Sequence, residues 1–343
     1  MTTMNSNPLS IAREDILRRV GRIEQVASIR RYVIDDGKGR GSRAFEVRNG
    51  SGFEFTVHPD RGLDIGAASF NGLPVAWTTP NGTVAPAFYD DRGAEWLRSW
   101  QGGLLTTCGL LSVGPECDTP EGHQGQHGRF DNIPAEGVNT SCRWENGRYV
   151  MEVTGDIAHT RVFCEKIVCH RTIRTVLGEP FVEVEDRFEN MGYEPVPLTL
   201  LYHMNLGWPL VDEGARLFAA AHKVVARDAK AEVGIGEWDR MIAPSHGFAE
   251  QVFYHDIPAG ADGHSVVSMV NEKLGISLEI SFDKKELPNL VQWRMMGEGE
   301  YICGIEPANC YPEGQPAIKA CGMLRMIAPG ETVCTHVRAA VRR

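Results

Sequence analysis

No apolar run in this 343-residue chain approaches the roughly 18 residues that a membrane-spanning helix requires. The first residues, Met1 to Pro8, carry neither a basic stretch nor an apolar segment of the kind that directs export. Basic residues are outnumbered, 35 Lys and Arg against 45 Asp and Glu, giving a net charge of -10. Nucleic acid and anionic membrane both need clustered cations, so neither is expected as a partner. The nine cysteines contain no Cys-x-x-Cys pair, Cys164 and Cys169 being nearest. Scattered and odd in number, they fit reduced thiols in the cytoplasm better than a disulfide framework. A Gly-x-x-x-x-Gly-Lys-Ser/Thr phosphate loop, a Gly-x-Ser-x-Gly nucleophile turn and a dinucleotide fingerprint in a strand–helix setting are all missing.

What is present is period-two alternation. Ala44–Val47 and Phe53–Val57 flank the turn pair Asn49-Gly50, the pattern of a β-hairpin. Tyr149–Val153, Ile167–Ile173, Phe181–Phe188, Ser265–Val270, Ile276–Phe282, Leu290–Met295 and Tyr301–Glu306 also read as strands. Asn71-Gly72, Asn81-Gly82 and Asn146-Gly147 punctuate the chain in the same way. Ser10 to Gly21 reads as an amphipathic helix, with Ile11, Ile16, Leu17 and Val20 on one side. With 42% apolar and 23% charged residues, and no linker or repeat, the expectation is a folded all-β body over 1–343. Residues 1–24 would form a helical arm.

Thr78 to Ala135 breaks this pattern. It is long, rich in Gly and Pro, and holds Trp96, Trp100, His123 and His127. Loops of this length usually carry function, so a rim over a pocket is expected, against the plainer reading of a covering loop.

Two ionisable groups interrupt apolar strands: His203 in Leu200–Leu206 and Glu306 in Gly304–Asn309. Burying such groups unpaired is costly, which makes them candidate catalytic residues rather than filler, the alternative being a satisfied core histidine and an ion-paired glutamate. Strand geometry sets Leu201, His203 and Asn205 on one face, and Ile302, Gly304 and Glu306 on one face. Gly304 leaves room for a close approach, and Pro307, lacking an N–H, is expected to end its strand. Arg61 and Asp64 lie in a charged segment between strands, where either a ligand contact or a mutual ion pair would suit them. Trp293 offers a ring face to a sugar, although buried core is the commoner fate of tryptophan. His123 and His127, with Glu116 and His203, form a weak metal-ligand pattern, because four-residue spacing is diagnostic only on a helix and this stretch has three glycines. Arg92, Arg98 and Arg129 are candidates to neutralise an anion, although solvated surface is the usual place for lone arginines.

Five segments resemble the galactose mutarotase (aldose 1-epimerase) superfamily, most closely an aldose 1-epimerase-like branch. They are Asp60–Ile65, Gly102–Leu110, His127–Arg129, Tyr202–Asn205 and Gly304–Pro307, in that order. The resemblance implies a large antiparallel β-supersandwich. It implies His203 as the general acid at a sugar ring oxygen and Glu306 as the general base at the anomeric hydroxyl. Arg61 and His127 would be hydroxyl-binding groups, with Arg129, Asp64 and Trp293 also at the substrate and Asp239 a counterpart of a site aspartate. The activity implied is anomer interconversion without cofactor or metal, on a small carbohydrate, with a homodimer allowed. A pocket carboxylate would hold His203 protonated. Two other readings use the same residues. One is a metal-assisted isomerase, epimerase or lyase on a keto-sugar or sugar derivative. The other is a non-catalytic sugar-binding domain.

Overall fold

A computed structural model describes Leu9 and residues 12–343. Nearly all regular structure is antiparallel strand. The first five strands, from Ser28–Val33 to Leu73–Pro74, pair in chain order as a meander, and the Asn49-Gly50 hairpin lies within it. The two large sheets follow. One holds eight strands, running in space from Arg216–Ala219 through Thr332–Arg342 and Phe181–Asn190 to Glu136–Glu145. Its strands alternate buried and half-exposed residues, as in Lys166–Val176 and Ile276–Asp283, so only one face meets the core.

The second sheet is ordered Lys223–Ala226, Gln251–Asp256, Asn289–Met296, Tyr301–Ala308, Val196–Gly207 and Arg325–Ile327, with Thr106–Leu110 also pairing to Val196–Gly207. Val196–Gly207 is buried along its whole length. Leu200, Tyr202, Met204 and Leu206 face the main apolar core, shared with Ile173, Val184, Phe188, Val333 and Val337 of the eight-stranded sheet. Leu201 on the opposite face belongs to a second cluster with Trp96, Trp100, Cys108, Val252 and Val291. Burying both faces explains why its sequence is a continuous apolar run rather than an alternating one.

Three local expectations are corrected. The Thr78–Ala135 stretch is no uniform loop: it contributes the strand Thr106–Leu110, hidden in sequence by Gly109 and two threonines. Pro307 does not end its strand, because it sits opposite Leu290 in the ladder with Asn289–Met296. On its other side the pairing passes from Leu201–Ala308 to Met204–Ile305, skipping the residue that cannot donate. The N-terminal helix is only Arg13–Leu17, with Ile16 buried and Leu17 exposed; Ser10 and Ile11 lie outside the described residues.

Candidate active site

The register that pairs Leu201 with Ala308 and Met204 with Ile305 sets His203 directly opposite Glu306. Side chains opposite one another on an antiparallel pair stand on the same face a few ångströms apart. The imidazole Nε2 of His203 accordingly lies 3.2 Å from Oε1 of Glu306, and both residues are almost fully buried. Gly304 makes the approach feasible. A Cβ there would lie 2.7 Å from Oε1 of Glu306 and 3.3 Å from Cε1 of His203. Its missing side chain gives space to the carboxyl group and the imidazole themselves.

The same sheet face extends into a cleft of about 660 Å³. Trp293 stands opposite Gly304 in the ladder, its indole N–H donating to Glu250 at 3.0 Å. Thr106, opposite His203, accepts the indole N–H of Trp100 at 3.0 Å. The Trp100 ring lies 5.3 Å from His203 and 5.7 Å from Trp293 and stacks on Trp96 at 4.9 Å. Tryptophan thus walls the polar pair on several sides, which suits the C–H faces of a sugar ring. His127, held at a positive φ of 57° in the covering segment, brings its ring 6.1 Å from His203 and 4.9 Å from Trp96.

Burial dominates the electrostatics. It raises the carboxyl of Glu306 to about 8, with Arg227 pulling the other way. It lowers His203 to about 3, helped by the neighbouring His127. His127 falls to about 4 by burial and by the charge of Arg227. Both shifts disfavour charge, so burial favours a protonated carboxyl group beside a neutral imidazole near neutral pH. Burial acts on His203 in the direction opposite to the expected carboxylate-held imidazolium. Oε1 of Glu306 and Nδ1 of both His203 and His127 have no hydrogen-bond partner. Buried polar atoms are usually satisfied, so these three, on residues that line one cleft, make it the candidate ligand site.

Of the other predicted site residues, the cleft brings in Trp293 and His127 and leaves out three. Arg61 lies behind it, 1% exposed, giving hydrogen bonds to Asp131 and to the carbonyls of Val84, Ser99 and Asp131. Asp131 in turn accepts the Trp96 indole at 3.2 Å, so Arg61 supports the tryptophan wall from below. Asp64 is bound to Arg171 and Thr107 rather than to Arg61. Arg129 pairs with Asp91 beside a separate crevice near His159. These three placements lie off the cleft lining: the donors and acceptors of Arg61 and Asp64 are used in buried networks, and Arg129 is half exposed beside Asp91. Asp239 pairs with Arg216, away from the cleft lining. His123 turns to Asp118 and the carbonyl of Asp91 and so parts from His127. Arg92 and Arg98 pair with Asp90 and Glu95 at the surface. Three polar lining residues carry no sequence signal: Arg227, which follows the strand Lys223–Ala226, Glu250 and Glu313.

The family model for a domain of unknown function, DUF4432, matches residues 39–341. Among curated proteins nothing matches. Among solved structures, a candidate aldose 1-epimerase from Klebsiella pneumoniae superposes with a TM-score of 0.88 at 23% identity, over 93% of this chain and 86% of that one. A galactose mutarotase-like protein from Clostridium acetobutylicum gives 0.67 at 14% identity, over 93% and 99%. Galactose 1-epimerase from Lactobacillus acidophilus gives 0.60 at 12% identity, over 92% and 99%. Likeness at these identities is likeness of fold. The chain belongs to the DUF4432 family, and its fold is the β-sandwich of the galactose mutarotase-like proteins.

Proposed function

We propose that this protein is a carbohydrate-active isomerase that interconverts the anomers of an aldose by opening and reclosing its ring. One observation carries the reading: an imidazole and a carboxyl group meet 3.2 Å apart in a tryptophan-walled cleft. Anomer interconversion needs that juxtaposition. The anomeric hydroxyl oxygen and the ring oxygen are bonded to one carbon, so the group that takes the proton and the group that gives it must be close neighbours.

In the forward step the unprotonated member of the pair removes the proton from the anomeric O–H. The C1–O5 bond breaks as its electrons go to the ring oxygen, which takes the proton held by the other member. The products are an aldehyde and a free hydroxyl, and the pair again holds one proton with the sites exchanged. Rotation about C1–C2 presents the other face of the carbonyl, and the reverse transfers close the ring. His203 and Glu306 are each able to start on either side of this exchange, and the direction of their shifts favours Glu306 as the starting acid. This reverses the parts first expected of them and leaves the reaction unchanged. A positioned pair of this kind contributes ~10²–10⁴-fold. His127 and the indole rings supply hydroxyl and C–H contacts for holding the sugar.

Exchange NMR on a panel of aldoses is the test. Acceleration of anomer exchange by the parent protein, lost in both Glu306→Gln and His203→Asn, is the expected result. No acceleration with any aldose would remove the proposal.

A further inference from the structure

The mouth of the cleft is unevenly charged. Glu116, Glu250 and Glu313 line it above Glu306, and Arg227 is the sole lysine or arginine among the described lining residues. Arg227 is already engaged, its guanidinium 3.1 Å from Asp228 and 3.2 Å from Glu250. Glu313 accepts a hydrogen bond from the hydroxyl of Tyr254, and Glu116 one from the backbone N–H of Gly93. Those donors are neutral and satisfy geometry without cancelling charge. His123 lies 3.6 Å from Glu116 but also serves Asp118 at 3.1 Å.

A sugar whose anomeric end rests on His203 and Glu306 must present its remaining groups to this ring. Hydroxyls meet carboxylate acceptors, a favourable match of donor to acceptor. A phosphate or carboxylate would instead bring negative oxygens against Glu250 and Glu313, with one guanidinium in reach that already pairs with Asp228 and Glu250 through Nε and Nη2. These carboxylates are exposed at the rim, so the repulsion is moderate and falls as salt rises. Among the described residues, Oε1 of Glu306 and Nδ1 of His203 and His127 are buried without a hydrogen-bond partner on residues that line this cleft, which independently supports a polar ligand there.

We infer that the cleft admits aldoses without negative charge and turns away sugar phosphates and sugar acids, with Glu250 and Glu313 as the residues that discriminate. This rests on the reading of the cleft as an aldose site. Arg227 then serves to hold Glu250, and through it the Trp293 indole, rather than to anchor an anion.

Ligand binding separates this inference from the proposed reaction. The full-length protein is titrated, by ligand-observed NMR, with 1,5-anhydro sugars, which cannot open, and with their 6-phosphates. At low salt the uncharged members should bind at least about tenfold more tightly than their phosphates, and the gap should narrow as ionic strength rises. Glu250→Gln with Glu313→Gln, which keeps both acceptors, should shrink the gap by about threefold or more in low salt. Equal or tighter binding of the phosphates overturns the inference, as does a gap that neither salt nor the double variant alters. Absence of binding by every sugar would overturn both readings. Selective binding of uncharged sugars with no anomer exchange on reducing sugars would leave this inference standing and remove only the proposed reaction.

Discussion

The two faces of the strand Val196–Gly207 carry polar groups at adjacent positions under opposite regimes. On the core face the Tyr202 hydroxyl donates to Asp186 at 2.5 Å and lies 2.6 Å from Thr335. Asp186 and Asp64 in turn grip Arg171, which also reaches Thr107 and the carbonyl of Gly62. Arg171 is fully buried and donates to five oxygens in this network, so its charge is matched on every side. One residue along, His203 and Glu306 are as deeply buried but keep open valences. Burial is common to both faces, and what separates them is completion. A finished network ties three sheets together, while the proposed site leaves polar atoms for a substrate to complete.

That contrast can be broken from either side. The largest effect is expected at Arg171, where Arg171→Met leaves Asp64 and Asp186 buried without their cation. Chemical denaturation should show a loss of about 3–5 kcal/mol, and an unchanged midpoint would refute the account of that network. Next come Glu306→Gln and His203→Asn. Each should slow anomer exchange at least ~10²-fold, about 2.7 kcal/mol of barrier, while stability stays level or improves. A variant that loses stability as heavily as Arg171→Met would show that the pair is structural after all. Gly304→Ala should push the carboxyl of Glu306 off His203 and lower the exchange rate about tenfold, which single-turnover NMR and a crystal structure of the variant would register.

The smallest effect is a pH signature. With Glu306 raised to about 8, the folded state keeps a proton that the unfolded chain releases at the ordinary glutamate value, so this residue erodes stability as pH climbs between the two. Glu306→Gln should therefore gain on the parent as pH rises from about 5 toward 8, and a constant difference would count against the raised value. Activity of the parent should fall on the alkaline side near 8, where the carboxyl of Glu306 loses its proton.

Much of the site was legible because period two is a strong signal. Once His203 and Glu306 were placed in strands, alternation gave their faces and marked Gly304 as a gap. The partnership of the strands was not legible, since no local pattern says that Tyr301–Ala308 lies beside Val196–Gly207. Arginines were the hardest to place. Arg61 and Arg227 both stand beside acidic neighbours in sequence, yet one is sealed behind Trp96 and the other lines the cleft. Tertiary packing alone decides between those fates. The strand Thr106–Leu110 carries little local signal for a related reason, its pairing being supplied by a distant neighbour rather than by its own propensity.

Because the proposed acid–base pair are cross-strand neighbours, a slip of one residue in that single ladder would turn His203 and Glu306 to opposite sides of the sheet. Turnover would then vanish even if every strand remained intact. Recovery of enzymatic rate during refolding would consequently time the locking of this register, separately from the return of β-structure in bulk.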